Sequence, residues 1–133
     1  RVEFNPANEN ECGGLALFQN HANHLVAEIV KKNGALTLQV RTVIKGEEKV
    51  IASTLLHSPA AEIEIKAKNQ CASVWLIRDN NYILVKDDVD LIPYTTEEAG
   101  GFVGCTVGMY TSSNGEESSN NCDFSWLSVT ELR

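Results

Sequence analysis

Ala35-Leu36-Thr37-Leu38-Gln39-Val40-Arg41-Thr42-Val43-Ile44 alternates apolar and polar side chains at period two for most of its length. In an extended chain successive side chains point to opposite faces, so Leu36, Leu38 and Val40 share one face and Thr37, Gln39 and Arg41 the other. That is a half-buried antiparallel strand. It is bounded by Asn33-Gly34 before it and Lys45-Gly46-Glu47-Glu48 after it. Asn-Gly adopts the positive backbone angles of a tight hairpin turn, so the pattern predicts a hairpin with Leu25–Lys32.

The same rhythm runs outward in both directions. Ile63, Ile65 and Ala67 alternate with Glu62, Glu64, Lys66 and Lys68. Leu15–Phe18, Leu25–Val30, Val50–Leu56, Cys71–Ile77 and Tyr82–Val85 read as further strands. Asp79-Asn80-Asn81 separates two of them, and Ser58-Pro59 breaks the chain after Leu56. No helix of ordinary length is expected, because Tyr94–Ala99 is short and runs into Gly100-Gly101. Many short strands with regular turns predict one all-β antiparallel sandwich spanning residues 1–133. Gly101–Tyr110 and Cys122–Leu132 are expected to close it as a hairpin in the core.

The chain has 133 residues, 43% hydrophobic and 22% charged, which suits one domain with one core. A net charge of −7 argues against nucleic acid, which needs a basic face. No apolar run approaches the ~20 residues of a membrane span. The chain opens on Arg1, with strand-like Val2–Phe4 following at once, and is read as a segment excised from a longer protein. Cys12, Cys71, Cys105 and Cys122 form no C-x-x-C pair, and free buried thiols are expected.

Several groups invite chemistry. Glu62 and Glu64 are alternate acids on one strand face, the arrangement by which a sandwich-fold glycosidase presents nucleophile and general acid. The third alternate position is Lys66, which fits an exposed strand face better. His21 and His24 flank a turn without a third ligand nearby, and His57 stands alone. Asp87, Asp88 and Asp90 offer hard oxygens to calcium but lack the glycine and glutamate of an EF-hand loop, so a solvated turn is expected. Asp123 is the one candidate metal ligand, otherwise expected in a hydrogen bond or salt bridge. No cofactor is expected. Among the aromatics, Trp75 and Tyr94 are candidate carbohydrate contacts, since sugar C–H groups pack on ring faces.

Gly101-Phe102-Val103-Gly104-Cys105-Thr106-Val107-Gly108-Met109-Tyr110, followed by Cys122-Asp123-Phe124-Ser125-Trp126-Leu127, resembles the end of the concanavalin A-like β-sandwich appended to glycoside hydrolase family 43 β-xylosidases and α-L-arabinofuranosidases. Gly13-Gly14-Leu15-Ala16-Leu17-Phe18 is similar to that module's Ala-Gly-Leu-x-Phe strand. Ser125 stands where the family has a second Asp, Val103 where it has Thr, and the family's opening strands have no counterpart here. The resemblance implies a non-catalytic accessory module that packs on a catalytic propeller of the same chain, with xylo- or arabino-oligosaccharides as the substrate class. It further implies that Phe102 reaches the rim of the active-site pocket, while Phe124 and Trp126 are structural. A free-standing lectin-like module and a glycosidase using Glu62 and Glu64 are the competing readings.

Overall fold

The computed structural model describes residues 1–68, 70–91 and 106–129. Ten strands follow in order: β1 (Val2–Glu3), β2 (Cys12–Asn20), β3 (Asn23–Lys32), β4 (Ala35–Ile44), β5 (Glu47–Leu55), β6 (Ala60–Lys68), β7 (Cys71–Arg78), β8 (Asn81–Asp90), β9 (Thr106–Ser112) and β10 (Asp123–Phe124). They form two five-stranded sheets, β10-β1-β6-β7-β8 and β5-β4-β3-β2-β9, antiparallel throughout. The all-β sandwich is as the alternation predicts.

Turn chemistry sets the hairpins. Asn33 and Gly34 have φ of 51° and 78°, Lys45 and Gly46 52° and 81°, and Asp79 and Asn80 51° and 64°. Consecutive positive φ angles give the turns whose twist matches that of the flanking strands.

The inner faces meet in two apolar clusters. Leu17, Leu25, Ala27 and Val40 pack against Ala72, Val74 and Val89. Ile29 and Leu38 pack with Val2, Phe4, Ala61 and Leu76. Each fully buried Leu or Ile contributes about 1.5–3 kcal/mol. Strand β3 is buried on both faces. Leu25, Ala27 and Ile29 look into the core, while Val26 and Glu28, only 0% and 1% exposed, lie on the outer face. The near-continuous run Leu25–Val30 is the sequence record of that double burial.

The closing strands do not form a hairpin. β9 pairs with β2 in one sheet, and β10 pairs with β1 in the other. The polar connection 113–122 crosses between the sheets, which is too far for a tight turn to bridge. Glu11 anchors that connection. It accepts from the Ala7 backbone N–H at 2.7 Å, from Asn120 Nδ2 at 2.9 Å and from the Ser118 hydroxyl. Nor is the pair central. Val107, Met109 and Trp126 are 39%, 56% and 51% exposed, so Trp126 is not a buried structural aromatic, although Phe124 does pack against the core. Asp87, Asp88 and Asp90 are not a turn either. They lie in β8, where an extra residue bulges the strand between Lys86 and Val89 and Asp88 takes a φ of 54°.

Candidate functional site

β1 is two residues long and covers only Ala60 and Ala61 of β6. From Glu62 to Lys68, β6 has β7 on one side and no paired strand on the other among the described residues. Among the described residues β9 is likewise the last strand of its sheet. Between these two edges lies a cavity of about 550 Å³. Its walls are the inward side chains Leu15, Leu17, Ile63, Ile65, Val107 and Met109. Glu62, Glu64, Lys66 and Tyr82 stand at its mouth, and the segment from Trp126 to Val129 borders it beyond Arg1.

The polar groups at this mouth are unevenly satisfied. The Arg1 backbone nitrogen donates to the Trp126 carbonyl at 2.9 Å. Glu64 Oε2 is buried and has no hydrogen-bond partner among the described residues, a situation that costs about 1–3 kcal/mol. Glu62 and Glu64 both face outward on β6, their Cα atoms about 6.6–6.8 Å apart by strand rise. Two carboxylates therefore do share one side of the mouth.

Trp75 lies on the outer face of the first sheet. Its Nε1 donates to Ser73 Oγ at 2.7 Å, and its ring meets Tyr82 edge to face with centroids 6.2 Å apart. Lys66 Nζ sits 5.1 Å from the Trp75 centroid and 4.9 Å from that of Tyr82. A sugar stacking on the same sides of these rings has to displace the ammonium. Tyr94 and Phe102 lie outside the described residues, as does Cys105.

The outer face of the second sheet carries a group that alternation did not single out. Glu28 accepts from Gln39 Nε2 at 3.0 Å, from Arg41 Nε at 2.9 Å and from Arg41 Nη2 at 3.2 Å. Its side chain is 1% exposed and that of Arg41 11%. Burial works against the Arg41 charge, but the hydrogen bonds and charge of Glu28 outweigh it and raise the guanidinium pKa. The signal was available: Glu28 is the one acid inside the apolar run Leu25–Val30. Phe18 meets His24 with tilted rings 5.4 Å apart between centroids, and His21 edge to face at 5.5 Å. His24 Nδ1 lies 3.2 Å from the Asn20 carbonyl, and burial lowers its pKa, which favours the neutral ring.

The remaining candidates are dispersed. Asp123 is exposed on β10 opposite Glu3, another carboxylate, and makes no salt bridge among the described residues. Among the described residues no three His, Cys, Asp or Glu side chains are grouped to hold a metal. Cys12, Cys71 and Cys122 are free thiols, and Cys71 is exposed rather than buried.

The architecture has close counterparts. Residues 1–130 match the family model of the beta xylosidase C-terminal concanavalin A-like domain. A xylosidase/arabinosidase of Butyrivibrio fibrisolvens is 48% identical over 131 residues, covering 98% of this chain and 25% of that protein. A non-reducing end alpha-L-arabinofuranosidase of Bacteroides ovatus, BoGH43B, is 29% identical over 129 residues, covering 96% of this chain and 24% of that protein. Among solved structures, the Bacteroides ovatus xyloglucan PUL GH43B superposes with a TM-score of 0.81 at 26% identity, over 91% of this chain and 24% of that one. The GH43 protein BlXynB of Bacillus licheniformis, as a K247S mutant, reaches 0.83 at 14% identity with the same coverage, a likeness of fold alone. The chain thus spans about a quarter of the length of these relatives. With nearly its whole length matched, the chain belongs to the family of C-terminal concanavalin A-like domains of β-xylosidases.

Proposed function

We propose that this domain is the non-catalytic accessory sandwich of a xylosidase- or arabinofuranosidase-type glycoside hydrolase, that it packs on a catalytic propeller of the same polypeptide, and that Phe102 contributes to the rim of the substrate pocket. The observation that carries this reading is the quarter-length match: relatives named for these activities contain the whole sandwich and about three times as much chain besides. The exposed apolar side chains of Trp126, Leu127 and Val129 support it, since neighbouring apolar side chains on the surface fit contact with another body of protein.

The test uses the parent chain and the isolated domain together. In the parent, Phe102→Ala is expected to lower kcat/KM for xylo- or arabino-oligosaccharides about 10-fold or more, as losing an aromatic rim contact of ~1.5 kcal/mol would. The isolated domain, titrated calorimetrically with the same sugars, is expected neither to bind nor to hydrolyse them. Hydrolysis by the domain, abolished by Glu64→Gln, would overturn the reading in favour of catalysis by Glu62 and Glu64. Binding without hydrolysis, lost in Trp75→Ala, would overturn it in favour of a lectin-like module.

A further inference from the structure

We propose that Trp75 and Tyr82 form a carbohydrate platform on the outer face of the first sheet, and that Lys66 is a movable plug that closes it, with Glu64 as the plug's second seat. The sugar class rests on the accessory reading above. The plug rests on the side chains of this face alone.

The register brings the four side chains together. Glu64 of β6 lies directly opposite Trp75 of β7, and Lys66 opposite Ser73. On β8, Leu84 lies opposite Trp75 and Tyr82 opposite Ile77. Directly opposite residues share a face. Ile77, Trp75, Tyr82 and Leu84 therefore adjoin on the outside of the sheet, where Tyr82 is 56% and Leu84 46% exposed.

The two rings bound a corner. They stand at 80° to each other with centroids 6.2 Å apart. Ser73 Oγ accepts from the indole N–H at 2.7 Å, which fixes the Trp75 ring before any ligand arrives. One ring face is offered to the C–H side of a sugar, and the other ring stands beside it as a wall. Lys66 Nζ fills this corner, 5.1 Å from one centroid and 4.9 Å from the other. Ammonium and sugar thus compete for the same ring faces.

The ammonium has a second place to go. Glu64 precedes Lys66 by two residues on the same strand face, with Cα atoms about 6.6–6.8 Å apart by strand rise, within reach of a lysine stem. Glu64 Oε2 is buried with no hydrogen-bond partner among the described residues. No ion pair joins it to Lys66 among those residues. On leaving the rings, Lys66 exchanges a cation–π contact for a charge-assisted hydrogen bond that Glu64 lacks. Displacement therefore strands no charge. An occupied aromatic corner and a carboxylate without a donor, side by side on one face, are the two positions of one lysine.

Two measurements on the 133-residue chain test this. The first is calorimetric titration with xylo- and arabino-oligosaccharides. The plug is expected to raise the dissociation constant about 10-fold or more, so that wild type is silent where Lys66→Ala binds. Lys66→Gln, which keeps the stem and removes the charge, repeats the titration. Adding Trp75→Ala should abolish the binding. The second measurement follows the lysine itself. A carbodiimide joins an ammonium to a carboxylate that touches it. The Glu64–Lys66 amide, located by peptide mapping, should be sparse in wild type and rise about 10-fold or more in Trp75→Ala, where the corner is lost. Silence in both folded Lys66 variants, binding that survives Trp75→Ala, or an amide as abundant in wild type as in Trp75→Ala would each overturn the proposal. Binding of L-argininamide but not of sugars by Lys66→Ala would overturn the carbohydrate assignment. Silent Lys66 variants leave the accessory reading standing, whereas a parent chain indifferent to Phe102→Ala counts against the pocket rim and leaves the plug untouched.

Discussion

Replacing Arg41 by Met is expected to be among the most damaging single changes to this domain. The substitution roughly conserves apolar bulk but strips Glu28 of both guanidinium hydrogen bonds, leaving Gln39 Nε2 and the Cys12 thiol. Hydrogen bonds to charged groups are worth about 1.5–3 kcal/mol each, and removing one partner of a buried ion pair costs about 3–5 kcal/mol. The two estimates meet near 4 kcal/mol. For 133 residues the unfolding entropy is about 0.28 kcal/mol/K, so the midpoint of thermal unfolding should fall by ~14 °C. The contact of Arg41 with Glu48 at 3.6 Å adds little, because Glu48 is 64% exposed. The assay is urea and thermal unfolding of three variants: Arg41→Met, Arg41→Lys, and Arg41→Met combined with Glu28→Leu. The lysine variant keeps the charge but not the forked geometry and should lie between wild type and methionine. The double variant removes both charges and should recover most of the loss. A loss below ~1 kcal/mol in Arg41→Met, or a double variant as unstable as the single, would refute the view that a desolvated carboxylate sets the cost.

Glu11 should make the domain acid-sensitive. Hydrogen bonds from Ser118, Asn120 and the Ala7 backbone hold its pKa below the usual 4.5, against a smaller opposing effect of burial. A depressed folded-state pKa stabilises above the unfolded value and is lost as pH falls through the folded one. Unfolding midpoints measured from pH 6 down to pH 3 should therefore decline less steeply in Glu11→Gln than in wild type. Gly14→Ala should destabilise by about 1–3 kcal/mol or more, because the new Cβ would lie 2.0 Å from the Ala27 carbonyl oxygen and 2.7 Å from Glu28 Cα, backbone atoms of β3 that cannot simply swing away. Chemical denaturation of the variant checks it. Thiol labelling should distinguish the cysteines. Burial pushes Cys12 up to about 12 and Cys122 up to about 11, so at pH 8 Cys12 should label only as the domain unfolds. Cys71 is accessible but held above its ordinary pKa by desolvation and by Asp88, Asp90 and Asp87. Asp88→Asn should thus speed its labelling.

Alternation disclosed which residues share a face, and that was enough for the strands, the turns and the two-sheet architecture. It said nothing of which sheet a strand joins. Val107 and Phe124 have the same apolar character whether their strands pair with each other or, as they do, with β2 and β1 in opposite sheets. The resemblance in the closing segments led to the family independently of that pairing, because it rested on residue identities and not on topology. Asp87 and Asp88 looked like a turn because a bulge within a strand uses the same polar, left-handed chemistry as a turn between strands. Exposure was the least legible property. Trp126 is large and apolar in a strand-like context, yet half its surface is open, since what lies beside it depends on where β1 stops.

Glu28 and Glu64 together show what a neighbouring strand supplies to a carboxylate withdrawn from water. Glu28 and Glu64 are both inner members of long strands, and each has carboxylate oxygen withdrawn from water. Around Glu28 the fold supplies Gln39 Nε2, the Cys12 thiol and the two nitrogens of a rigid guanidinium fork on the next strand. Around Glu64, β7 presents Trp75 directly opposite, whose indole N–H is already committed to Ser73. The other flank, where a neighbouring strand would carry a donor, holds none among the described residues. An orphaned carboxylate oxygen at a cost of about 1–3 kcal/mol is a large fraction of a total stability of about 5–15 kcal/mol. Glu64 is therefore the costlier of the two carboxylates although it is the less buried, because the donors beside a withdrawn carboxylate, and not burial alone, set what it costs.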